Sequence, residues 1–296
     1  MTKNPIFRGA ATALITPLCE TGVDYDAFGR LIDWQIDSGI DGLVIAGTTG
    51  EASTLTDEEH REVLRFAIDR IAGRVPAVAG TGSNDTAYAI DMTRFACEIG
   101  YDAVLVVTPY YNKATQKGLI NHYVAVAEAS EKPVILYSVP GRTGCKIMPD
   151  TAAVLSQHPN IVGFKDANGD MDSTVETIAK CGENLHIYSG EDSLTVPMMA
   201  MGAMGCISVL SNVVPHLAVE MCDKFFAGDV AGAAALQCKM LPLIRALFSE
   251  VNPIPAKAAV AAMGFGQEYL RMPLSCLEDH NRENLFKQMR ALGVKI

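Results

Sequence analysis

Along the chain, short unbroken apolar runs alternate with longer stretches in which apolar residues recur every three or four positions. The runs fall at 10–17, 42–47, 76–80, 103–109, 133–139, 161–165, 186–190 and 206–210. A run with no polar alternation predicts a strand covered on both faces, as in a parallel sheet. Between the runs, Phe28, Leu31, Ile32 and Ile36 make one helical stripe that ends at Gly39. Val63, Leu64, Ala67 and Ile71 make a second, stopping near Gly73, and Ile90, Ala96 and Ile99 a third, reaching Gly100. Each ends on the glycine that a helix C-terminus favours. Thr56-Asp57-Glu58-Glu59 reads as a capping box at the start of the second. Most connections are long enough for the crossover helix that parallel strands require. Eight strands alternating with helices predict an α/β fold, a (β/α)8 TIM barrel; a doubly wound open sheet is the alternative, and periodicity alone does not separate them.

From about Val230 the strand pattern stops. Segments 233–248, 255–263 and 282–292 read as helices. The expected organisation is a barrel over 1–229 carrying the active site and a C-terminal helical domain over 230–296. No linker-like composition separates them, so the helices should pack on the barrel. A barrel needs about 250 residues, and 296 leave room for such an addition.

Composition narrows the function. The chain is 49% hydrophobic and 20% charged, enough for a large core. A net charge of −10 leaves no basic footprint for nucleic acid. There is no signal peptide and no run of 18 apolar residues, so no membrane association is expected. Eight scattered cysteines without a CxxC pair predict reduced thiols in a cytoplasmic protein. The histidines show no metal-ligand spacing, so no metal is expected.

The chemistry-bearing residues follow the apolar runs, where the C-terminal strand ends of a barrel gather reactive groups. Lys165 closes the run Ile161-Val162-Gly163-Phe164-Lys165. A free lysine has a pKa of about 10.4, and burial favours its neutral amine, a nucleophile toward carbonyl carbon. The plain alternative is a lysine that pairs with Asp166 or Asp170. Gly47-Thr48-Thr49-Gly50-Glu51 places two hydroxyls between glycines, where side-chain and backbone donors could meet an anion; a tight turn is the alternative. Thr108-Pro109-Tyr110-Tyr111-Asn112-Lys113 follows the fourth run, and Tyr137-Ser138-Val139-Pro140-Gly141-Arg142-Thr143-Gly144 the fifth. The Tyr137 phenol can donate and accept a proton, and Arg142 on a Pro/Gly-stiffened loop suits a carboxylate. Gly190 and Ile207 end the seventh and eighth runs. An amine, a phenol, a hydroxyl pair and an arginine at strand ends compose a class I aldolase set.

These motifs, together with Asn252-Pro253-Ile254-Pro255-Ala256-Lys257, occur in an order and at spacings that resemble the dihydrodipicolinate synthase (4-hydroxy-tetrahydrodipicolinate synthase) family over essentially the whole chain. The resemblance implies a barrel with a C-terminal helical domain, a homotetramer built as a dimer of dimers, and condensation of pyruvate with L-aspartate 4-semialdehyde in lysine and diaminopimelate biosynthesis. It implies no cofactor beyond a covalent imine on Lys165. Tyr137, Thr48 and Tyr111 resemble its proton relay, with Tyr111 serving the neighbouring subunit. Thr49 resembles the binder of the pyruvate carboxylate, Arg142 the receiver of the semialdehyde carboxylate, and Gly190 and Ile207 backbone contributors to the site.

Some positions depart from the pattern. Ser138 stands where the family usually has Asn, and Asn168 where it has Ser or Thr; neither is a reacting group. Ala52, Ser53, His60, Asn84, Tyr88 and Tyr110 fall on the regulatory pocket of lysine-inhibited members, with Tyr88 in place of a carboxylate, so feedback by L-lysine is expected to be weak or absent. Related pyruvate-dependent aldolases, such as N-acetylneuraminate lyase or a 2-keto-3-deoxy sugar acid aldolase, share the lysine chemistry, but Arg142 suits a charged acceptor better than a polyol. A non-catalytic keto-acid sensor is the remaining alternative, and it would need no imine-forming lysine.

Overall fold

The computed structural model describes residues 3–296. Its eight parallel strands close into a barrel in chain order, which settles the fold in favour of the barrel over the open sheet. They are β1 (Gly9–Ala13), β2 (Gly42–Ile45), β3 (Ala77–Gly80), β4 (Ala103–Val107), β5 (Val134–Ser138), β6 (Ile161–Asp166), β7 (His186–Ser189) and β8 (Gly205–Ser208). Each apolar run became a strand, and several strands stop short of the run's end. Pro17, Pro109 and Gly190 lie beyond the ladders, because proline cannot donate to one and glycine weakens it. The helices are α1 (Tyr25–Asp37), α2 (Asp57–Ile71), α3 (Thr86–Glu98), α4 (Gln116–Ala129), α5 (Pro140–Thr143), α6 (Pro149–Leu155), α7 (Met171–Cys181), α8 (Thr195–Ala200), α9 (Pro215–Phe226), α10 (Val230–Leu247), α11 (Ile254–Ala262) and α12 (Asp279–Ala291).

Two compact units make up the chain: Met1–Gly9 with Pro76–Ile207, and Ala10–Val75 with Ser208–Ile296. In the first, parallel pairing sets Val107 beside Tyr137, Tyr137 beside Lys165, and Lys165 beside Tyr188. Ile135, Leu136, Phe164 and Ile187 are buried around this ladder. Gly205 has φ of +135°, and a Cβ there would stand 1.8 Å from the carbonyl oxygen of Gly9, so only glycine fits. The Pro-Gly-Arg-Thr segment, expected as a loop, is the single helical turn α5. Pro140 presets its first turn and Gly144, at φ of +68°, closes it.

In the second unit β1 pairs with β2, setting Ala11 beside Gly42 and Ala13 beside Val44. The capping box forms as expected: the Thr56 hydroxyl accepts from Glu59 N at 3.2 Å and Thr56 N donates to the Glu59 carboxylate at 2.9 Å. Helix α10 begins at Val230 rather than 233, because the Asp229 carboxylate caps it by accepting from Gly232 N at 2.9 Å. By length and composition α10 is apolar enough to cross a membrane. It packs against α9 and α12 and carries Lys239 and Arg245.

Candidate active site

Lys165 lies near the C-terminal end of β6, where both faces of the strand are covered, and it is 5% exposed. Its neighbour on β5 is Tyr137, itself buried, and the Lys165 Nζ stands 4.4 Å from the centre of the Tyr137 ring. Burial lowers the Lys165 pKa to about 8; Arg142 pushes it the same way, while Asp192 and Cys206 pull it back. The carboxylates next to it in sequence are engaged elsewhere. Asp166 accepts from Asn168 N at 3.1 Å and from the Thr174 hydroxyl at 2.7 Å. Asp170 pairs with Lys146 at 3.0 Å and caps α7 through Ser173 N. The amine is therefore set by burial, the Tyr137 face and the nearby charges of Asp192 and Arg142.

Gly190 supplies space beside that amine. A Cβ at 190 would lie 3.0 Å from the Lys165 Cε and 2.8 Å from the Ala167 Cβ. Its own amide donates to Asp166 O at 2.8 Å, tying the ends of β6 and β7. Ile207 is buried within β8. Asp192, on the turn after β7, is a buried carboxylate close enough to Lys165 to act on its charge. Sequence reading missed it, because Glu191-Asp192 resembles an ordinary solvated loop pair; the acid directly after a strand end was the available signal.

Arg142 is exposed on α5. The buried hydroxyl of its neighbour Thr143 anchors the turn, accepting from the Thr108 hydroxyl at 2.9 Å and donating to Cys145 O at 2.9 Å. Tyr111 is not gathered with these groups: its side chain is 90% exposed, on backbone at φ of +73°. Holding a bulky residue in the left-handed region costs roughly 1 kcal/mol or more. Asn112 next to it donates to Asn84 O at 2.8 Å, and Tyr110 is exposed as well.

In the second unit the Gly47-Thr48-Thr49-Gly50-Glu51 segment is a tight turn. Gly50 N donates to Gly47 O and Glu51 N to Thr48 O, each at 3.1 Å. Those two amides are thus committed to the turn, and the hydroxyls of Thr48 and Thr49 remain as donors. Thr49 is buried, and its hydroxyl accepts from Asn252 Nδ2 at 2.9 Å. Glu51 adopts a left-handed conformation at φ of +55° and sinks its carboxylate onto the buried Lys257. Ala52 and Ser53 follow in a 3-10 turn, and His60 is buried on α2; in the first unit Tyr88 is half-buried on α3. Among the described residues no group of three or more His, Cys, Asp or Glu side chains could hold a metal ion.

Comparison with known proteins places these motifs in context. The family model described as the dihydrodipicolinate synthetase family matches residues 6–292. A 4-hydroxy-tetrahydrodipicolinate synthase of Lachnoclostridium phytofermentans is 50% identical over 291 residues, covering 98% of this chain and 99% of that one. The crystal structure of the chloride-inhibited dihydrodipicolinate synthase from Acinetobacter baumannii, complexed with pyruvate, superposes with a TM-score of 0.95 at 43% identity, over 97% of this chain and 99% of that one. A monomeric dihydrodipicolinate synthase variant superposes with a TM-score of 0.96 at 37% identity, over 98% of each chain.

Proposed function

Because the chain belongs to the dihydrodipicolinate synthetase family, we infer that Lys165 is the amine on which its chemistry runs. The protein is a lyase that condenses pyruvate with L-aspartate 4-semialdehyde, in lysine and diaminopimelate biosynthesis. The observation that carries the assignment of Lys165 is its burial against Tyr137 with a pKa lowered to about 8, which leaves an appreciable share of free amine near neutral pH.

The amine adds to C2 of pyruvate and the adduct loses water to form an imine. Loss of a methyl proton turns the imine into an enamine, whose carbon bonds to the aldehyde carbon of the semialdehyde. The semialdehyde's own amine then displaces Lys165 at C2, closing the ring of 4-hydroxy-tetrahydrodipicolinate and freeing the lysine. Neither an electron donor nor a cofactor is needed. The register of Tyr137 beside the amine supports a role for its phenol in moving protons in these steps, with Thr48 and Tyr111 as its relay partners by family resemblance. Thr49 takes the pyruvate carboxylate, Arg142 that of the semialdehyde, and Gly190 and Ile207 line the site.

The solvent-exposed Tyr111 supports a shared site, in a homotetramer built from dimers in which this residue serves the neighbour. The free thiols fit a cytoplasmic setting. A coupled assay with both substrates, together with borohydride trapping of pyruvate, tests the reading. The pyruvate mass should appear on the peptide containing Lys165. An adduct on Lys257, or turnover with polyol aldehydes in place of the semialdehyde, would overturn it.

A further inference from the structure

The Asn252-Pro253-Ile254-Pro255-Ala256-Lys257 segment has no part in the chemistry above, yet both of its polar side chains meet the Gly47–Glu51 turn. Asn252 donates from Nδ2 to the Thr49 hydroxyl at 2.9 Å. Five residues on, Lys257 pairs with Glu51, donates to Tyr269 O at 2.7 Å, and is 1% exposed. The first turn of α11, with Lys257 N bonded to Pro253 O at 2.8 Å, fixes the spacing of the two. Thr16 adds a third hold, its hydroxyl donating to Gly50 O at 2.8 Å.

A hydroxyl has one proton and two acceptor sites. With an amide N–H occupying one acceptor site of Thr49, its proton is turned away from Asn252, and a hydroxyl that accepts also donates more strongly. The backbone amides of Gly50 and Glu51 are already committed within the turn, so the orientation of the Thr49 proton, beside the donors of Thr48, bears directly on what the turn can offer an anion. The Glu51–Lys257 pair keeps the turn from relaxing. A buried charge pair of this kind adds little net stability and is well suited to fixing one conformation.

We propose that Asn252 is a positioning residue for the keto-acid carboxylate, acting by directing the Thr49 hydroxyl proton toward it, and that the Glu51–Lys257 pair holds the turn in the conformation where this works. The proposal rests on the assignment of Thr49 to the pyruvate carboxylate.

Cyanoborohydride trapping on the full-length protein tests it, with pyruvate and with acetone as a ketone that lacks the carboxylate. Wild-type trapping of pyruvate on Lys165 comes first; its failure would reject the functional reading itself. Given that adduct, Asn252→Ala should raise the pyruvate concentration for half-maximal trapping about tenfold and leave trapping of acetone unchanged. Asn252→Asp should be worse, since a carboxylate would take the Thr49 proton and repel the substrate. On a Thr49→Val background, Asn252→Ala should add no further loss. An equal loss with pyruvate and acetone, an unchanged pyruvate response, or a full additional loss on the Thr49→Val background would each overturn the role. Should Asn252→Ala fail to fold, Asn252→Ser with the same two ketones decides the matter by the same criteria.

Discussion

Tyr137 and Lys165 are register partners on β5 and β6, and the ring of one lies under the amine of the other at 4.4 Å. A cation gains about 0.5–2 kcal/mol over an aromatic face, much less than an ion pair would give a buried ammonium. The second buried lysine makes the contrast. Lys257 also has its pKa lowered by burial, but Glu51 opposes that shift and holds the ammonium in an ion pair. Of the two, Lys165 is the one whose amine lies over an aromatic face with its pKa lowered to about 8.

The pH dependence follows with a definite sign. Trapping of pyruvate requires free amine, so its rate should rise with pH through about 8 and then level off. Stability should move in the same direction. The folded pKa of about 8 lies below the unfolded value of about 10.4, so unfolding takes up a proton between them. Lys165→Met should therefore raise the melting temperature at pH 7, with the advantage shrinking as pH climbs from 8 toward 10.4. Thermal unfolding of both proteins at several pH values checks this; a variant less stable than wild type at pH 7 would contradict it.

Arg142→Ala should weaken use of the semialdehyde while imine formation with pyruvate persists. Removing one charge-assisted contact costs on the order of 1.5–3 kcal/mol, a ten- to hundredfold change in kcat/KM for that substrate. A matching loss in pyruvate trapping would show that Arg142 serves both substrates.

Lys257→Met strands the Glu51 carboxylate in the interior and should destabilise the protein by about 3–5 kcal/mol. Adding Glu51→Gln removes the stranded charge and should recover part of that loss. Denaturant unfolding of the single and double variants measures it; equal stabilities for the two would mean that Glu51 is not buried as a charge.

Mixing Tyr111→Phe with Lys165→Ala subunits tests whether Tyr111 acts across an interface. If it does, a mixed dimer has one site lacking both groups and one with both intact, and activity returns. No recovery, with subunit exchange demonstrated by native mass spectrometry, would refute the shared site.

Much of the barrel could be read from the chain because its strands are buried on both faces and so appear as unbroken apolar runs. Lys165 was conspicuous for the same reason, as a charge at the end of such a run. Other features carry no local trace. Thr49 meets Asn252, and Glu51 meets Lys257, across more than 200 residues of sequence, and neither pair is visible as a pattern. Asp192 passed for surface, since an acid in a loop looks the same whether solvated or buried. Pro140-Gly141-Arg142-Thr143 was misjudged as a loop because a single turn is too short to show helical periodicity.

The ion pair between Glu51 and Lys257 has a consequence for the order of events at the ribosome. The turn that presents Thr48 and Thr49 is made early, but the cation for its carboxylate is made some 200 residues later. Arg271, which donates its amide to Glu51 at 3.4 Å and its guanidinium to Thr54 O at 2.8 Å, comes later still. At about 5–20 residues per second, Glu51 stays without its partner for roughly ten seconds or more, and an acid in that state keeps to water. Burial of this turn waits for Lys257 and Arg271 to emerge.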